Sequence, residues 1–147
     1  MKEGFIISIG VIGGLMALVL GGWDIALQVL IIFMAIDYIT GVILAGVFKK
    51  SKKNESGALS SAIGLKGLFR KGMMLLIVLI GHQLDILMGT DFVRYVVIIA
   101  FISNELISIT ENAGLMGVPV PAIIKKAIDI LNKKDGNNGN NTTIHNK

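Results

Sequence analysis

The sequence contains no cysteine. That excludes a disulfide framework, a thiolate metal site, a lipid-modified cysteine anchor and a cysteine nucleophile, and it leaves the redox compartment open. Proline is nearly as scarce: Pro119 and Pro121 are the only two, and with Gly114 and Gly117 they mark one break in the chain. Charge is thin, at 16% of 147 residues, below the quarter or so usual in soluble domains. No phosphate-binding G-x-x-x-x-G-K-[ST] loop, G-x-S-x-G elbow or H-E-x-x-H helix is present. Ser60, Ser61 and Lys66 have no partner base, so neither an enzyme nor a cofactor is expected. What is abundant is apolar: 53% of residues are hydrophobic and the mean hydropathy is +0.74. A chain this short has too little interior to hide them, so the surplus is expected to face lipid.

Four apolar runs approach the roughly 20 residues that cross a hydrocarbon core about 30 Å thick. They span residues 4–21, 25–48, 73–88 and 92–110. Gly22-Trp23-Asp24 joins the first two and Gly89-Thr90-Asp91 the last two, so the pattern predicts two tight helical hairpins. The expected fold is an all-α integral membrane protein with four transmembrane helices and flanking interfacial amphipathic helices.

Lys and Arg stay on the cytoplasmic side, and of 14 such residues all but Arg94 fall on one side of a four-helix arrangement with both termini inside. Lys49, Lys50, Lys52, Lys53, Lys66, Arg70 and Lys71 lie in the central loop, and Lys125 and Lys126 follow the fourth run. Their expected partner is anionic lipid rather than nucleic acid, and Arg94 is expected to snorkel to the outer surface. A cleaved signal peptide is the alternative for the first run, but no A-x-A-like site follows it.

Residues 58–72 place Leu59, Ala62, Ile63, Leu65 and Phe69 on one helical face, and residues 121–131 place Ile123, Ile124, Ala127, Ile128 and Leu131 on another. Both read as helices lying on the membrane. The transmembrane domain is thus expected over 1–131, followed by a polar, disordered tail over 132–147.

A charged side chain at mid-bilayer costs about 2.5 to 3.5 kcal/mol on insertion scales, so intramembrane polar residues are the informative ones. Asp37 sits near the centre of the second run, with Thr40 and Gly41 on its face. His82 and Asp85 are one turn apart on the third. On the fourth, Asn104, Ser108 and Glu111 share a stripe with Arg94, Glu105 and Asn112 at its margin. Each is either a structural hydrogen-bonding group inside a bundle or part of a shared polar interior that lines a pore or joins copies. With one intramembrane histidine and no ligand spacing, a metal site is not expected. On the first helix, Gly10, Gly14, Ala17 and Gly21 form a small-residue face suited to close packing, within the chain or between copies.

Asp37-Tyr38-Ile39-Thr40-Gly41, Leu59-Ser60-Ser61 through Lys66-Gly67 and Arg70-Lys71, the block Asn104-Glu105-Leu106-Ile107-Ser108-Ile109-Thr110-Glu111-Asn112, and Gly117-Val118-Pro119-Val120-Pro121 occur in this order. Together they resemble the phage-lysis and toxin-secretion holin family over roughly residues 25–134. The resemblance implies a homo-oligomer in the bacterial cytoplasmic membrane that assembles into lesions at a set time. Those lesions release an endolysin, or in some members a large toxin, without necessarily contacting it. On that mechanism Asp37, Glu105, Glu111 and Asn112 supply hydrophilic surface or hydrogen bonds between copies. An ion or small-solute transporter and an antiholin-like regulator remain alternatives on the same residues.

Overall fold

The computed structural model describes residues 1–50 and 61–139, with backbone alone for 135–139. It contains α1 (Lys2–Val19), α2 (Ile25–Ile43) extended by a π-helical turn (Leu44–Phe48), α3 (Ser61–Met88), α4 (Val93–Leu115) and α5 (Ala122–Gly139). No strand occurs among the described residues. Among the described residues, three helical stretches are long and apolar enough to cross a membrane: Lys2–Val19, Ile25–Phe48 and Val93–Leu115.

Several boundaries differ from the sequence expectation. The surface helix over 58–72 and the span over 73–88 are one helix across the described part, Ser61–Met88, because nothing between them breaks helical geometry. Tyr38 of α2 lies over Gly64 and Gly67 of α3, where the missing side chains let an aromatic ring approach. Beyond Pro121 the helix runs to Gly139, so residues 132–139 are helical rather than part of a disordered tail; 140–147 lie outside the described residues. This last helix does not stand apart on a surface: α5 packs against α4, and Ile124, Ala127, Ile128 and Leu131 are half-buried there.

α4 is the hub, packed against α2, α3 and α5, while α2 and α3 touch little. The second hairpin forms as expected, across a turn with Gly89 at φ +66°. α1 does not fold back along α2, and none of its residues is buried. Leu27, Leu30, Val78 and Ile98 are the fully buried centre of the core, with Leu20, Met34, Met74 and Ile102 completing it. Apart from Leu20, which ends α1, these residues recur every three or four positions on α2, α3 and α4, which is one face of each helix.

The α3–α4 contact is set by Gly81. A Cβ there would stand 3.1 Å from the Arg94 Cα and 3.4 Å from its backbone nitrogen, and neither atom can swing aside. Gly81→Val is expected to destabilise the bundle by about 1 to 3 kcal/mol in detergent-micelle unfolding. Gly72→Ala, which meets nothing within 4 Å, is expected to unfold like the parent.

Candidate functional site

Two polar layers bracket the apolar core. The outer one is built around Arg94, in the first turn of α4. Its Nε donates to the Leu20 carbonyl at 2.5 Å, one terminal nitrogen to the Asp24 carboxylate at 2.5 Å, and the other to the Gly22 carbonyl at 3.1 Å. Arg94 therefore does not snorkel outward; it is buried and clamps the α1–α2 turn onto α4. Gly21 makes this possible, since a Cβ there would collide with the guanidinium and with His82 Nδ1 at 2.7 to 2.8 Å, and its φ is +92°. Asp24 also caps α2, accepting from the Leu27 amide at 2.8 Å. Burial pushes its carboxyl pKa up, but the Arg94 hydrogen bond and the Leu27 amide outweigh that and hold it below the ordinary value near 3.8.

Asp85 belongs to the same layer. Its two oxygens accept from the Val93 and Arg94 amides at 3.0 and 2.8 Å and from the Thr90 hydroxyl at 2.7 Å. It thus satisfies the first amides of α4, whose own N-cap residue, Phe92, offers no side-chain cap. His82, expected beside Asp85 in a polar interior, points its Nδ1 towards Gly21 and the α1–α2 turn.

The inner layer is a buried ion triad. Lys71 Nζ donates to Asp37 Oδ2 at 2.9 Å and to Glu105 Oε2 at 2.5 Å, joining α3 to α2 and α4. Asp37 Oδ1 accepts from Ser108 Oγ at 2.5 Å and from Asn112 Nδ2 at 3.4 Å. Asn112 also donates to Thr40 Oγ1 at 3.1 Å, opposite Gly41, and Thr40 in turn donates to the Asp37 carbonyl at 3.1 Å. Asp37, Lys71 and Glu105 are each at most 9% exposed. The expected lipid-facing role of Lys71 is therefore corrected: a lysine with two carboxylates within reach is held far more strongly by them than by a headgroup outside the bundle.

The structure brings Asp37, Thr40, Glu105, Ser108 and Asn112 together and leaves others apart. Asn104 and Glu111 lie on the exposed side of α4, so the stripe read from the sequence splits between interior and exterior. No side chain stands within 4 Å of a Cβ built on Gly10 or Gly14, and Ala17 is only half-buried. Lys49, Lys50, Lys66, Arg70, Lys125 and Lys126 are exposed, whereas Lys52 and Lys53 lie outside the described residues. Among the described residues no cluster of histidines and carboxylates has a metal-binding arrangement.

Sequence reasoning missed Lys71 as a triad member, Asp24 as cap and clamp, and the Ser103 hydroxyl, which bonds Asn132 of α5. Two signals were available. Asp24 directly before an apolar run is an N-cap signature. Asp37 lies 13 residues beyond Asp24, Glu105 lies 11 beyond Arg94 and Lys71 lies 14 before Asp85, distances that agree to within one helical turn.

Removing the ammonium alone strands two buried carboxylates, so Lys71→Met is expected to cost about 3 to 5 kcal/mol in denaturant titration of the micellar protein. Combining it with Asp37→Asn and Glu105→Gln is expected to restore most of that loss.

The sequence pattern of the bacteriophage holin family matches residues 14–133. A probable holin of Bacillus phage phi105 is 32% identical over 106 residues, covering 71% of this chain and 73% of the relative. An uncharacterized 14.9 kDa protein in the nagH 3' region of Clostridium perfringens is 40% identical over 125 residues, 84% of this chain and 89% of the relative. A Listeria innocua protein, Lin0175, is 37% identical over 134 residues, 89% of this chain and 90% of the relative. No solved structure matches. With apolar helices of spanning length around a buried polar layer, and with this match along most of its length, the chain is a membrane protein that belongs to the bacteriophage holin family.

Proposed function

We propose that the protein is a holin: it oligomerises in the host cytoplasmic membrane and opens lesions through which an endolysin reaches the cell wall. The observation that carries this reading is the triad of Asp37, Lys71 and Glu105 with Ser108 and Asn112. It stores a hydrophilic surface inside the monomer, where α2, α3 and α4 meet. Within one copy those groups satisfy one another. In a ring of copies the same groups can turn to water, so that a lesion acquires a polar wall from residues that were never exposed to lipid.

Four spans with both termini inside fit the charge distribution, and α3 supports the count. Leu76, Ile77, Ile80, Leu84, Ile86 and Leu87 are exposed along it, an apolar surface that water would not tolerate at this density. The described basic residues Lys49, Lys50, Lys66 and Arg70 then sit at the cytoplasmic end of the bundle, next to anionic headgroups. Reporter fusions after Lys134 and within residues 49–53 are expected to report the cytoplasm in both cases; an external C-terminus would remove the four-span arrangement.

Function is tested by inducible expression with and without a cytosolic murein hydrolase, following membrane potential and culture density. Abrupt depolarisation, with lysis only when the hydrolase is present, is the expected result. Depolarisation without lysis would replace the lesion by a small ion-conducting pore, and no effect on either would favour a regulator of another pore former. Glu105→Gln, which weakens one arm of the triad, is expected to shift the onset of lysis; unchanged timing and unchanged assembly would remove Glu105 from the trigger.

A further inference from the structure

Three consecutive residues of α4 point three ways. Ser103 bonds Asn132 of α5, Glu105 bonds Lys71 of α3, and Asn104 between them is exposed. Successive helical residues stand about 100° apart, so Asn104 opens onto the gap between α5 and α3, while buried Ile102 fills the opposite arc. On α3, Gly64 and Gly67 take the ring of Tyr38 from α2. Arg70 is exposed on the flank away from that ring, and so borders the same gap.

The two bonds also fix depth. Lys71 on Glu105 and Ser103 on Asn132 bring Arg70, Asn104 and Asn132 level with one another. The helix from Arg70 to Met88, at the other end of α3, is about 27 Å long at 1.5 Å per residue. That is close to the hydrocarbon thickness of about 30 Å, so the level is the cytoplasmic edge of the hydrocarbon. Elsewhere the bundle stays apolar beyond it: Ile43 and Val47 on the α2 side, and Leu65 and Leu68 on α3, are exposed further inward. The gap is therefore a polar notch in an apolar wall.

The notch offers donors. Arg70 brings a guanidinium and Asn104 a carboxamide, and the carbonyl oxygen of Asn132 accepts from Ser103, which turns its amide nitrogen to use as a donor. Lys66 lies one turn inward of Arg70, and Lys125 two turns inward of Asn132 on the same face; with Arg70 they outweigh the nearby Asp129. Glu111, further inward on α4, is already engaged. We propose that the notch seats the headgroup of one anionic phospholipid from the cytoplasmic leaflet, its phosphate held by Arg70 and Asn104. A guanidinium matches two phosphate oxygens at once, and a neutral carboxamide beside it gives the site a shape that scattered surface lysines lack. The proposal rests on α3 and α4 crossing the membrane. It deepens the holin reading by naming a lipid that each copy carries.

Diffuse attraction to a charged surface draws on cations wherever they lie, whereas a seated headgroup draws on Asn104. The full chain is reconstituted in vesicles of equal phosphatidylglycerol and phosphatidylcholine, and the lipid retained after extraction into mild detergent is counted by native mass spectrometry. The expected result is one phosphatidylglycerol per chain, in several-fold excess over phosphatidylcholine and not displaced by millimolar inorganic phosphate. Asn104→Asp, which keeps the shape and repels the phosphate, and Arg70→Gln are each expected to lower retention about three- to tenfold. Lys49→Gln combined with Lys50→Gln is expected to leave it unchanged. Equal retention of the two lipids, or an equal loss in the Lys49 and Lys50 variant, would overturn the site, and displacement by inorganic phosphate would replace the lipid by a soluble anion. Retained phosphatidylglycerol in a chain that opens no lesion supports the site and removes the holin reading. Lysis by a chain that retains no lipid removes the site alone.

Discussion

The bundle turns on one ammonium group. Lys71 of α3 is held between Asp37 of α2 and Glu105 of α4, and it is the charged contact that all three helices share. In lipid, apolar side chains gain almost nothing by leaving the hydrocarbon for each other, so packing and hydrogen bonds set the association. α2 and α3 barely touch; their relation passes through α4 and through this charge. The Asp37 carboxylate adds Ser108 and Asn112 of α4 to the same junction, so α2 is fixed to α4 over about one helical turn.

The outer layer works by different chemistry. Arg94 binds two carbonyls and one carboxylate at a turn whose backbone shape is imposed by Gly21 and Gly22, both with positive φ. The planar guanidinium suits such a divided set of acceptors. Asp85 completes it by supplying the acceptors that the start of α4 lacks. The apolar core from Leu27 to Ile102 is therefore closed at both ends by polar contacts that cannot slide, which sets the register of α2, α3 and α4 along the bundle axis.

Much of this was legible in the sequence, and the reasons for the rest are specific. The apolar runs, the two turns and the polar character of the faces that carry Asp37, Glu105, Ser108 and Asn112 follow from hydropathy and helical spacing. Lys71 was hidden because positive charge near a span is ordinarily a signal of sidedness, and nothing local separates a lysine that stays at the surface from one that reaches inward. The division of the α4 stripe was hidden too. Asn104 and Ser108 share a face by periodicity, but only the crossing of α2 over α4 decides that Ser108 meets Asp37 while Asn104 does not. α5 read as a surface helix because its apolar stripe fits a membrane surface and the side of α4 equally well, and a sequence pattern carries no information about which is nearer.

The lack of any buried residue in α1 gives that helix a mechanical character of its own. Its 18 residues span about 27 Å at 1.5 Å per residue, close to the hydrocarbon thickness, and its own protein does little to fix its tilt. The Leu20 carbonyl at its end is gripped by Arg94, which makes α1 a lever with its free length at one end and the α4 N-terminus at the other. A helix held by its own protein at one end alone passes any change in its tilt to that end, here the start of α4.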